Sequence, residues 1–167
     1  MEETAPNPDG LFADLDSSQT AVSVRVALRV RPLLERELIE KSKVCVDVNR
    51  QHNTVTIGKD RAFTFDKAFD PHQSQESVFE LCVKNLVLGC FRGFNATVLA
   101  YGQTGSGKTH TMGSAVSQDV SEEDLGIIPR VIRLIFEEEE KRRTRADFAI
   151  KCSFLEIYNE ELIDLLD

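Results

Sequence analysis

The residues with the clearest capacity for chemistry are Gly102, Gln103, Thr104, Gly105, Ser106, Gly107, Lys108 and Thr109, an unbroken match to the phosphate-cradling pattern G-x-x-x-x-G-K-[ST]. Glycines at 102, 105 and 107 let the backbone curl so that successive N–H groups point inward, making a nest for phosphate oxygens at the start of a helix. Lys108 brings a mobile point charge to the β- and γ-phosphates, and the Thr109 hydroxyl is the expected ligand of Mg²⁺. Gly107 leaves no side chain in the path of the phosphate. The pattern therefore specifies a nucleoside triphosphate site.

Such a loop works only if a strand delivers the chain into it and a helix carries the chain away. Ala96-Thr97-Val98-Leu99-Ala100-Tyr101 is a short apolar and β-branched run, read as a strand buried on both faces. Lys108-Thr109-His110-Thr111-Met112 can begin the helix. A glycine-rich turn that merely precedes Lys-Thr would rarely have this strand in front of it.

The remaining elements frame that unit. Residues 1–20 hold five acids, two prolines and no Lys or Arg, and read as a disordered acidic tail, with residues 21–167 forming one folded part. From Ser23 to Pro32 the alternation sets Val24, Val26, Leu28 and Val30 on one face of a strand and Arg25, Arg29 and Arg31 on the other. Pro32 ends it, because proline cannot donate to a ladder. A short polar helix over 33–43 precedes three small strands at 44–48, 54–57 and 62–65, an antiparallel lobe with turns at Asn53 and at Gly58-Lys59-Asp60. Ser74 can cap a helix whose stripe is Phe79, Cys82, Val83, Leu86, Val87 and Cys90, ending at Gly89 or Gly93. After an exposed polar loop over 113–125, helix resumes at Ile128-Pro129 with Ile128, Val131, Ile132, Ile135 and Phe136 inward. Glu137, Glu138 and Glu139 stand four residues before Lys141, Arg142 and Arg143, a solvated helix end. Residues 148–158 read as a long strand, and Asn159 as the cap of a short helix over 160–166.

Composition narrows the function classes. In 167 residues, 20 basic against 28 acidic side chains leave a net charge of −8, which argues against a nucleic-acid-binding face. Cys45, Cys82, Cys90 and Cys152 form no C-x-x-C pair and read as buried reduced thiols. The sequence has neither an apolar span of membrane length nor a leader pattern, so a soluble cytoplasmic protein is expected.

Several blocks, taken together, resemble the kinesin motor domain. They are Arg29-Val30-Arg31-Pro32, Phe63-Thr64-Phe65-Asp66, the run from Phe94 through Met112 that contains Tyr101-Gly102-Gln103-Thr104, Gly126-Ile127-Ile128-Pro129-Arg130, and Leu155-Glu156-Ile157-Tyr158-Asn159-Glu160. The resemblance covers residues 23–167 and is greatest to the chromokinesin and hedgehog-pathway group. It implies an α/β fold of the P-loop NTPase type, a central mixed sheet flanked by helices. It further implies ATP with Mg²⁺ as the ligand, microtubules (tubulin) as the partner of the complete motor, and a place on the cytoskeleton. By the same resemblance Arg29, Arg31 and Pro32 would line the adenine pocket, and His110 would lie against the other side of the base.

Two family segments, Asn-x-x-Ser-Ser-Arg-Ser-His and Asp-Leu-Ala-Gly-x-Glu, do not occur in the sequence, nor does a coiled coil through which kinesins dimerise. The resemblance therefore implies an incomplete motor fold with little or no hydrolysis, and no catalytic residue is assigned. Asp164 is a late candidate for a metal carboxylate, disfavoured by the helical pattern around it. Two readings of other classes are a regulatory nucleotide-binding module without turnover and a small-molecule kinase. The kinase usually carries its phosphate loop near the amino terminus, unlike this chain.

Overall fold

The computed structural model describes residues 24–113 and 121–167. The acidic tail expected over 1–20 lies outside the described residues, as does most of the expected polar loop. The chain forms two compact units that divide between His72 and Gln73.

In the first unit, β1 (Ala27–Arg29) pairs in parallel with β5 (Lys67–Phe69), Leu28 standing opposite Ala68. The Asp66 carboxylate accepts the Val26 N–H at 2.7 Å, and Val30 N–H donates to Phe69 O at 2.9 Å, so the short ladder is extended at both ends. Only these three residues of the expected 23–32 strand are in a ladder. Val24 and Val26, placed inward by the alternation, are exposed, because nothing among the described residues covers that end of the face. The helix expected over 33–43 is α1 (Glu35–Ile39). The antiparallel lobe is present as β2 (Val46–Asn49), β3 (Thr54–Ile57) and β4 (Arg61–Thr64), ordered β2-β3-β4 with Val48 opposite Val55 and Val55 opposite Phe63. Val55 in the lobe and Ala68 and Phe69 in β5 are the buried apolar residues of this unit.

In the second unit, Ser74 caps α2 (Gln75–Cys82), its Oγ accepting the Ser77 N–H at 3.1 Å. The chain leaves helical geometry at Val83 (φ −118°) and resumes as α3 (Lys84–Cys90). The expected single helix is thus two, and its stripe is buried at Phe79, Val83 and Val87, half-buried at Cys82 and Leu86, and exposed at Cys90. Gly93, at φ +93°, turns the chain away after α3. The helix after the glycine loop is α4 (Lys108–Met112), and the next is α5 (Ile127–Arg142), with Pro129 tolerated in its first turn. The buried face of α5 carries Ile127, Leu134 and Glu138, whereas Ile132 and Phe136 are exposed. Its inward stripe is rotated from the one the apolar residues suggest, because α5 packs on α2, α3 and α4 along a line that begins at Ile127.

Four further expectations are corrected. Residues 96–101 are in no ladder, and Leu99 and Tyr101 are 83% and 95% exposed, so the strand buried on both faces is not formed among the described residues. A run of this composition is ready for the middle of a sheet, but ladder bonds need neighbours from distant segments. Of the strand expected over 148–158 only β6 (Leu155–Tyr158) is paired. The helix expected over 160–166 is instead β7 (Glu161–Asp164), joined to β6 by a two-residue turn at Asn159 and Glu160. Both turn residues have positive φ (49° and 67°), the geometry that suits the twist of a hairpin, and this outweighs the helical spacing. The cysteines are also less covered than expected: Cys45, Cys90 and Cys152 are exposed and Cys82 is half-buried, all four as free thiols.

The α/β class is as expected, with parallel and antiparallel pairing both present. The strands fall in three small sheets among the described residues. None of the described helices is long and apolar enough to cross a membrane.

Candidate nucleotide-binding site

The glycine loop has the backbone that its sequence demands. Gly102, Gly105 and Gly107 have φ of +153°, +80° and +102°. At Gly102 the positive φ favours glycine, and an added Cβ would fall 2.5 Å from Ser106 Oγ, so that hydroxyl would have to turn aside. Ser106 N–H donates to Gln103 O at 3.1 Å, closing the turn, and Gly107 hands the chain to α4, with Thr111 N–H donating to Gly107 O at 2.9 Å.

Lys108 is the first residue of α4, and its side chain folds back over the loop. Its Nζ donates to Gly102 O at 2.6 Å and to Gln103 O at 2.9 Å. The ammonium thus sits at the loop's mouth, where it can serve as counter-charge to an anion. Thr109 and His110 are exposed, as are Gln103 and Thr104. The hydroxyl of Thr109 is a hard oxygen donor of the kind Mg²⁺ prefers. An open cradle that a single Cβ would obstruct, with a lysine and a threonine at its rim, fits a polyphosphate with Mg²⁺.

Arg29, Arg31 and Pro32 lie in the first unit and the loop in the second. Arg29 is half-buried, and that burial lowers the pKa of its guanidinium. Arg31 forms a two-point fork with Glu37, Nη1 to Oε2 at 2.8 Å and Nη2 to Oε1 at 2.7 Å, while Nη1 also donates to Pro32 O at 2.9 Å. Glu37 in turn accepts the Leu34 N–H at 2.8 Å, which caps α1. The Arg31 hydrogen bonds, followed by that of Leu34, hold the Glu37 carboxyl well below the usual carboxylate range, at about 2. Asp164 ends a strand after all, but its Oδ1 accepts the Leu166 N–H at 3.0 Å.

The residues that tie α4 down were not singled out by their chemistry. Gln75 is 4% exposed, and its Nε2 donates to His110 O at 2.7 Å and to Asp124 O at 3.2 Å. Arg130 holds the carbonyls of Leu125 and Glu122, each at 2.9 Å, and Arg133 pairs with the Glu122 carboxylate. The signal for Gln75 was present in its position: it heads the stripe of Phe79 and Val83, one turn before the first aromatic.

The kinesin motor domain family matches residues 29–167. The chain belongs to the kinesin motor domain family. Among curated relatives it is 46% identical over 153 residues to human kinesin-like protein KIF21A, a match spanning 87% of this chain and 9% of that protein. It is 49% identical over 146 residues to human chromosome-associated kinesin KIF4A, over 87% of this chain and 12% of the relative. The chain therefore spans about a tenth of the length of these kinesins. Among solved structures, the Drosophila kinesin family member Kin10/NOD, in complex with divalent manganese and ADP, superposes with a TM-score of 0.74 at 35% identity. That match covers 86% of this chain and 48% of the Drosophila one. A second structure docks Drosophila NOD and bovine tubulin into a map of nucleotide-free NOD complexed to the microtubule, again with a TM-score of 0.74. The chromosome-associated kinesins among the relatives agree with the group that the sequence resembles.

Proposed function

We propose that this chain binds ATP with Mg²⁺ and is the nucleotide-holding part of a motor that couples ATP hydrolysis to movement along microtubules. The observation that carries the reading is the loop 102–109: three glycines at positive φ under the ammonium of Lys108, at the head of α4, in a chain of the kinesin family. Gly102, Gln103, Thr104, Gly105, Ser106 and Gly107 would surround the phosphates with backbone N–H groups, Lys108 would neutralise them, and Thr109 would hold the metal ion. Arg29, Arg31, Pro32 and His110 would contact the base, a flat ring between proline, imidazole and guanidinium. The manganese and ADP of the Drosophila relative support the nucleotide and the divalent ion, and its complex with the microtubule supports the track. A cytoplasmic, cytoskeletal location follows from that partner.

Titration of the full chain with ATP, GTP and tripolyphosphate in Mg²⁺ tests the site, and co-sedimentation with microtubules with and without nucleotide tests the partner. Tighter binding of ATP than of GTP, together with nucleotide-dependent co-sedimentation, is expected. Equal binding of all three anions would sink the base pocket, and no binding would sink the site. The absence of nucleotide-dependent co-sedimentation would favour a regulatory module over a motor.

A further inference from the structure

Helix α4 is five residues long, too short to hold its own axis in water. Its first residues are the lysine and threonine of the candidate site, so whatever fixes its far end also fixes the direction in which Lys108 and Thr109 point. The carbonyls of the last turn have no helical partner and must find one elsewhere. At His110 that partner is Gln75, whose side-chain amide reaches the carbonyl oxygen at 2.7 Å.

The same amide nitrogen donates its other hydrogen to Asp124 O at 3.2 Å. Asp124 closes a 3-10 turn, Glu122–Asp124, on the far side of the segment that separates α4 from α5. The backbones of Gly113 and Gly126 also meet there, an added Cβ on Gly113 falling 2.6 Å from Gly126 Cα. The chain thus leaves α4 and returns to α5 through a neck, and Gln75 ties both strands of that neck. Two carbonyl acceptors settle which end of the amide faces them, since only the NH₂ group can donate to both. With the side chain 4% exposed, water cannot replace either bond without cost.

We propose that Gln75 is a positioning residue of the nucleotide site: by holding His110 O and Asp124 O together, it sets the axis of α4 and hence the placement of Lys108 and Thr109. This rests on the reading of loop 102–109 as an ATP site. The residue type is decisive, because an isosteric carboxylate would turn lone pairs toward two carbonyls and an apolar side chain would leave both unpartnered.

The test uses Gln75→Glu and Gln75→Met in the full chain, with two measurements at a temperature where circular dichroism shows each variant folded. The first is amide hydrogen exchange without nucleotide. Thr111 and Gly113, whose N–H groups close α4, are expected to exchange about 10-fold faster, with Val55 in the first unit unchanged. The second is ATP affinity in Mg²⁺, expected to fall about 10-fold in both variants. Unchanged exchange at Thr111 and Gly113 would overturn the tie itself, whether or not the chain binds ATP. Faster exchange with undiminished ATP affinity would make the tie structural only and overturn the positioning role. A wild-type chain that binds no ATP would instead overturn the reading of the loop, and the exchange measurement would still judge the tie.

Discussion

The ammonium of Lys108 lies 2.6 Å from the carbonyl oxygen of Gly102, so the lysine that ends the glycine loop reaches back to its first residue. The charge is placed at the mouth of the loop by local contacts alone. Lys108→Met keeps the length of the side chain and removes the charge. It should weaken ATP binding by about 100-fold, the scale of about 2–3 kcal/mol for a hydrogen bond to a charged group. The far-ultraviolet spectrum should not change. Calorimetric titration of the variant reads the loss, and an affinity within a factor of about two of the parent would remove Lys108 from the site.

Glu37 predicts a pH dependence. Its carboxyl is held at about 2, against an ordinary value of 4.5, chiefly by the Arg31 fork and then by the Leu34 N–H. A lowered acid pKa means that the fold favours the charged form. The contribution is therefore fully present above about 4.5 and is lost as the pH falls toward 2. Carbon-detected titration of Glu37 should give the low midpoint, and Arg31→Met should bring it back toward 4.5. A wild-type midpoint in the ordinary carboxylate range would show that the fork does not persist in solution.

The glycine loop, the antiparallel lobe, the Ser74 cap and the Phe79–Val83–Val87 stripe could all be read from the sequence because each rests on neighbours a few residues apart. The strand expected over 96–101 is not formed among the described residues: β-branched composition shows that a segment suits a sheet, but a ladder also needs neighbours that local sequence does not name. The 160–166 segment was misread for a related reason: acids followed by Leu162, Leu165 and Leu166 fit a helix start, but Asn159 and Glu160 at positive φ make a hairpin turn. Gln75 and Glu138 are polar residues on buried faces, and only the packing shows what they hold.

The neck between α4 and α5 should be intolerant of side chains. Gly113 and Gly126 meet backbone to backbone, and a Cβ on either would lie inside contact distance of the other. Gly126→Ala should cost about 1–3 kcal/mol, as overpacking of a rigid site does, because no flexible side chain is there to move aside. Gly58→Ala is the control for strain alone: it has φ +69° with open space around the missing Cβ. Urea denaturation should show the Gly126 variant to be the less stable of the two. If the control is as unstable as the test variant, close approach is not the cause.

The charged end of α5 is only partly solvated, and this gives the last prediction. Glu138 is 8% exposed, accepts from Lys141 Nζ at 2.8 Å and is ion-paired with Arg142 Nη2 at 2.9 Å. The Arg142 guanidinium stacks 4.6 Å from the Phe91 ring centroid, and Phe91 meets Phe148 edge to face at 5.8 Å. The chain that leaves α5 is thereby held to the end of α3. Glu138→Gln keeps the shape and removes the charge that balances Arg142, whose Nη1 is buried and has no hydrogen-bond partner among the described residues. It should cost about 1–3 kcal/mol, well above the ~0.5 kcal/mol of an exposed helix pair such as Glu80 and Lys84. A double-mutant cycle of Arg142→Met with Phe91→Leu should return a coupling of about 0.5–1 kcal/mol for the stack. Denaturant titrations of the four chains measure it. A coupling indistinguishable from zero would mean that Arg142 is held by Glu138 alone and that the aromatic pair packs without it.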